Sequence, residues 1–101
     1  MTVEFAVQTR RVLRVKNLQP SYHSKDRRPP WVRLPTHLLE DPGFASLSDA
    51  AKGHALLLLI LVGRIGNDIP EDNDWVGRMI GAKEAVRLEN LLESGYLEVS
   101  S

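Results

Sequence analysis

Eight consecutive apolar residues, Ala55-Leu56-Leu57-Leu58-Leu59-Ile60-Leu61-Val62, dominate the hydropathy pattern of the chain. They make about two helical turns. A helix apolar all round must be buried all round, so the rest of the chain should wrap this one. Five leucines, a flanking Ala50-Ala51-Lys52 and two β-branched residues favour helix over buried strand. Gly63-Arg64 ends the run well short of the roughly 20 apolar residues that span a membrane. Ser48 suits an N-cap and Asp49 complements the helix dipole, so the helix is expected from Asp49 to about Arg64, closed by Gly66-Asn67-Asp68.

Upstream, Val3, Phe5 and Val7 share a parity, and Val12 to Lys16 alternates so that Arg14 and Lys16 point away from the core. Gln19 to Pro30 is polar, basic and proline-interrupted, as in an exposed loop. Trp31-Val32-Arg33-Leu34 is expected to be extended, Thr36 to Glu40 helical after Pro35, and Asp41-Pro42-Gly43 a turn. Phe44 and Leu47 should dock on the core, as should Trp31 and Trp75 wholly or in part. Beyond the central helix, Ile69 suits a single strand position. A helix from Asp72 to Ile80 repeats apolar residues at Trp75 and Met79 and at Val76 and Ile80. After Gly81-Ala82 a second helix, Lys83 to Ser94, places Ala85, Leu88, Leu91 and Leu92 on one side, with Gly95 as its left-handed cap. Tyr96 to Val99 alternates as a strand.

A long buried helix, a short helix, a glycine turn, another short helix and a strand is the order of a winged helix-turn-helix. The expected fold is therefore α+β, with three to four helices and a small antiparallel sheet that includes amino-terminal strands. Only two residues follow Val99, so the sheet must borrow Ile69 or those amino-terminal strands. Residues 1–30 read as a basic strand-and-loop region packed on the same domain, and residues 31–101 as the winged-helix core.

Composition changes this picture little, and charge changes it more. With no cysteine, disulfides, thiolate metal sites and cysteine nucleophiles are excluded. The start of the chain lacks the basic and apolar regions of a secretory signal, which suits a cytoplasmic protein. Formal net charge is zero, yet residues 1–37 carry eight basic side chains against Glu4 and Asp26, a net of +6. Residues 38–101 carry five basic side chains against eleven acidic, a net of −6. Such asymmetry suggests a basic segment seeking an anionic partner such as nucleic acid, or two halves that attract each other.

The basic candidates are Arg10, Arg11, Arg14, Lys16, Lys25, Arg27, Arg28 and Arg33, with Tyr22 and Trp31 available to stack on bases. Lys83 and Arg87, four apart on the second short helix, could reach phosphates or guanine edges, although Glu84, Glu89 and Glu93 make that helix acidic. Asp68, Glu71, Asp72 and Asp74 fail the calcium-loop pattern, with Val76 and Lys83 at ligand positions. They read as helix-start acids or as an acidic face for a protein partner. His23, His37 and His54 are scattered, which argues against zinc, with His54 a packed or solvent-edge residue near the core helix. No nucleophile elbow or phosphate loop occurs, so neither an enzyme nor a bound cofactor is expected.

Residues Tyr22 to Leu34 (YHSKDRRPPWVRL), Leu38-Leu39-Glu40-Asp41, Leu47 to Lys52 (LSDAAK) and Ile80-Gly81-Ala82-Lys83 together resemble the amino-terminal winged-helix domain of phage and prophage replication proteins, which are similar to replisome organisers. The resemblance spans roughly residues 12–99. It implies double-stranded DNA binding in phage replication or its regulation, in the cytoplasm of a bacterial host. The alternative expectation is a small phage interaction module acting through its acidic face. An inhibitor of a host defence complex, such as an anti-CRISPR protein, and a helicase-loading adaptor are examples. A homodimer is compatible with either, a membrane association with neither.

Overall fold

In a computed structural model of the chain, residues 11–16 and 31–100 are described. The expected strand positions Val3, Phe5 and Val7, and the candidate residues Arg10, Tyr22, Lys25, Arg27 and Arg28, lie outside them.

The element order is β1 (Val12–Val15), a 3-10 helix (Thr36–Glu40), α1 (Pro42–Ala45), α2 (Asp49–Ile65), β2 (Ile69–Pro70), α3 (Asn73–Ile80), α4 (Leu88–Ser94) and β3 (Leu97–Val99). Among the described residues, four α-helices and a three-stranded antiparallel sheet of order β2-β1-β3 make an α+β fold, consistent with a winged helix-turn-helix. β1 is the central strand. Leu13 faces Ile69 on one side and Val99 on the other, and Val15 faces Leu97. As the alternation predicts, Leu13 and Val15 are buried while Arg14 and Lys16 are exposed. The sheet borrows both Ile69 and an amino-terminal strand. Asn67 lengthens it by a side chain: its Oδ1 accepts from the Val15 amide at 2.8 Å and its Nδ2 donates to the Val15 carbonyl at 3.2 Å.

α2 is the axle of the core. Ser48 caps it, accepting from the Ala51 amide at 3.1 Å, and Ala55, Leu58, Leu59, Leu61 and Val62 are buried against the sheet and the other helices. Burial is not complete around the helix, however, because Leu57 is 39 % and Ile60 52 % exposed. A small domain has too few elements to enclose one helix on every side, and here Leu57 and Ile60 stay exposed while Leu56 is partly buried on the core. Segment 31–34 docks on α2 through Val32, seated so closely on the buried Gly63 that an added Cβ there would overlap the valine.

Three further expectations are corrected. Asp41-Pro42-Gly43 does not end an element but starts one: the Asp41 carboxylate accepts from the Gly43 and Phe44 amides, and Pro42 opens α1. Trp31 and Met79 are about half exposed (53 % and 47 %), whereas Trp75 is partly buried on the core. The helix expected over Lys83 to Ser94 begins only at Leu88, and Ala85 is exposed outside it. Gly81 ends α3 in a left-handed conformation, and the chain between the two helices runs non-helically so that Val86, 5 % exposed, reaches the core beside Gly77. Asn73 then receives the Leu88 amide on its Oδ1 at 2.9 Å, fixing where α4 starts.

Candidate nucleic-acid interface

The basic candidates among the described residues divide into three groups. Arg11 and Arg14 are engaged across the sheet. Arg11 forms a two-pronged pair with Glu71, Nε to Oε1 at 2.7 Å and Nη2 to Oε2 at 2.8 Å, and Arg14 pairs with Glu98, its directly opposed residue on β3. The hydrogen bond from Arg11 holds the Glu71 carboxyl below its usual pKa. Part of the charge division in the sequence is therefore consumed inside the fold: basic residues in and just before the first strand meet acidic residues of the second half.

Lys83 and Arg87 form the second group. They do not share a helix face, since neither lies in α4. Arg87 lines a shallow depression of about 320 Å³ between the start of α2 and α4, with Ser48, His54, Glu84 and Asn90, and its guanidinium is 3.9 Å from the exposed Glu89 carboxylate. α4, Leu88-Glu89-Asn90-Leu91-Leu92-Glu93-Ser94, carries two acids and no base.

Lys16 and Arg33 are the third group, and the fold brings them together. Lys16 leaves β1 where its amide donates to the Tyr96 carbonyl at 3.0 Å, and Arg33 enters on the segment that docks through Val32. Both line one cleft of about 490 Å³ with His37, over an apolar floor that includes Leu38, Leu59 and Tyr96. The acid in its lining, Asp41, has its carboxylate turned to the first amides of α1. The cleft thus has a positive rim and an apolar base, a combination that suits an anionic group attached to something flat or greasy. Lys25, Arg27 and Arg28 fall in the sequence between Lys16 and Trp31, outside the described residues.

Sequence reasoning found Lys16 and Arg33 by charge but not their convergence. It missed His37, Leu38 and Tyr96 as cleft residues, and only the Asp-Pro-Gly cap at 41–43 carried a local signal for that corner. Among the acidic candidates, Glu71 binds Arg11, Asp72 caps α3 by accepting from the Trp75 amide at 3.1 Å, Asp74 lies in the first turn of α3, and Asp68 is exposed. His54 is buried on α2, as expected. No group of three or more metal-ligating side chains occurs among the described residues, and no helix among them is long and apolar enough to cross a membrane. No protein-family model matches the chain, and neither a curated protein nor a solved structure matches it significantly.

Proposed function

We propose that the chain is a nucleic-acid-binding module of winged-helix type, of phage origin, which grips its ligand through the Lys16–Arg33–His37 cleft, together with Lys25, Arg27 and Arg28, rather than through α4. The convergence of Lys16 and Arg33 on one cleft carries this reading. Phosphate neutralisation supplies most of the affinity in such complexes, and α4 has no cation with which to supply it. The half-exposed Trp31 stands next to the cleft segment, available to stack on a base. The phage setting, in DNA replication or its regulation, rests on the sequence resemblance at residues 22–34, 38–41, 47–52 and 80–83.

The test is a titration of labelled duplex and single-stranded oligonucleotides over a salt series. Affinity should fall steeply with salt. Lys16→Ala plus Arg33→Ala should weaken binding and flatten the log–log salt slope by about one per lost phosphate contact. Arg27→Ala plus Arg28→Ala should act in the same direction, and Lys83→Ala plus Arg87→Ala should do little. Unchanged binding in the first double variant, or none at low salt, rejects the reading.

One observation favours a second reading, a protein-interaction module. Glu84, Glu89 and Glu93 are all exposed at or before α4, so the helix-turn-helix presents carboxylates outward to a basic partner. Charge reversal at Glu89 and Glu93 that abolished a stoichiometric complex while leaving nucleic-acid affinity unchanged would favour it.

A further inference from the structure

The depression between the start of α2 and α4 holds a histidine that the fold encloses without giving it a partner. His54 is 8 % exposed, and its ring makes no hydrogen bond among the described residues. No fully enclosed side-chain nitrogen or oxygen among those residues goes unpaired, so the ring nitrogens keep an outlet, and the depression that His54 lines supplies it. Ala50 and Ala51 line it too, one turn back on the same face of α2. The ring is therefore aimed into it.

The same wall is the amino-terminal end of a 17-residue helix. The first amides of a helix have no acceptor within it. Here the Ser48 hydroxyl takes the Ala51 amide, while those of Asp49 and Ala50 find no acceptor among the described residues. From the opposite wall come Arg87 and Asn90. The Arg87 guanidinium has only a 3.9 Å contact with Glu89, between two groups more than half exposed, and the exposed Asn90 carboxamide makes no hydrogen bond among the described residues. Unpaired amides, an imidazole, a guanidinium and a carboxamide around one space are the donors that recognise an oxyanion at a helix start.

We propose that this depression binds a phosphate-type oxyanion through the Ala50 amide, His54, Arg87 and Asn90. Its 320 Å³ leaves room for an organic group on the phosphate. Glu84 is the acid in the lining; it is exposed at the rim, and its charge opposes the ligand. The site is separate from the Lys16–Arg33–His37 cleft and does not depend on the nucleic-acid reading.

The experiment is an NMR titration of the full chain with inorganic phosphate to about 50 mM, against chloride at matched ionic strength, a range that brackets millimolar affinity. Saturable shifts should appear at the Ala50 amide, the His54 ring nitrogens and the Asn90 side-chain amide, with phosphate and not with chloride. Arg87→Ala, at an exposed site, should weaken binding roughly tenfold, the worth of a charge-assisted hydrogen bond, while leaving circular dichroism unchanged. His54→Phe, which keeps the ring's bulk without its nitrogens, should weaken it as well, and Glu84→Gln should strengthen it. Lys16→Ala plus Arg33→Ala should leave the titration unaltered, which keeps this site's failure apart from that of the cleft. Glycerol phosphate run in parallel distinguishes the sources: tighter binding than inorganic phosphate assigns the site to a phosphate monoester, equal binding to the free ion, and either upholds it. No saturable shift by 50 mM, equal shifts with chloride, shifts centred on Lys16, Arg33 and Tyr96, or unchanged affinity in Arg87→Ala overturns the proposal.

Discussion

Tyr96 ties the last strand to the middle of the core helix. Its hydroxyl donates to the Ala55 carbonyl at 2.8 Å, and its ring lies 5.9 Å from that of Phe44. Burial strips water from the phenolate and pushes the pKa up to about 12 from an ordinary value near 10. The folded state therefore holds this proton more tightly than the unfolded state. The resulting stabilisation is fully present below pH 10 and is lost as pH rises from about 10 through about 12. Urea titrations at pH 8, 10 and 12 should show the wild type losing on the order of 1–2 kcal/mol across that window. Tyr96→Phe should be flatter over the same range, and at pH 8 less stable by about 1 kcal/mol for the missing hydrogen bond. At this scale, what sequence could reveal was whatever acts within a few residues. Ser48 and Asp72 cap the helices they precede, and Gly95 takes the left-handed cap of α4. Asn67 and Asn73 look like any loop and helix-start asparagine, because their partners lie 52 and 15 residues away.

Among the elements, α4 depends most on a neighbour. It has seven residues, and the residue before it, Arg87, gives no side-chain cap. Asn73, the first residue of α3, supplies the acceptor instead, so the start of one helix is fastened to the start of the other. Asn73→Ala should cost about 1 kcal/mol, the usual worth of a cap. Hydrogen exchange should show that loss concentrated in the first amides of α4, while Asn73→Asp, which keeps the acceptor, should be close to neutral. The same geometry explains why the apolar pattern extends this helix too far toward Lys83. Ala85, Leu88, Leu91 and Leu92 fit a helical period, but Val86 does not, and the burial of Val86 draws the chain out of helix until Leu88. Periodicity over so few residues cannot say which apolar side chain the core will claim. The long run of α2, with caps at both ends, is legible to within a residue of its length, though not the exposure of Leu57 and Ile60, which depends on how the other elements pack around it.

Over the whole molecule, the sign change between the halves of the sequence has two uses that charge counting cannot separate. Arg11 and Arg14 answer Glu71 and Glu98 within the sheet, whereas Lys16 and Arg33 gather at an apolar cleft. Arg11→Ala plus Arg14→Ala should lower the denaturation midpoint modestly, the more so at low salt, because exposed pairs are screened. The pair should reduce nucleic-acid affinity less than Lys16→Ala plus Arg33→Ala does, and paired melting and binding series would check both. Sequence also called for a sheet built with Ile69 or an amino-terminal strand, and the register made both its neighbours. That register bears on how the chain comes into being. β1 is synthesised first, yet it can close only when β3 has been made, since Arg14 and Glu98 stand 84 residues apart. On the ribosome the central strand must therefore wait with both edges unpaired while α2 and its exposed leucines are already emerging, an interval in which unpaired edges and apolar surface favour aggregation and a nascent-chain chaperone has most to protect.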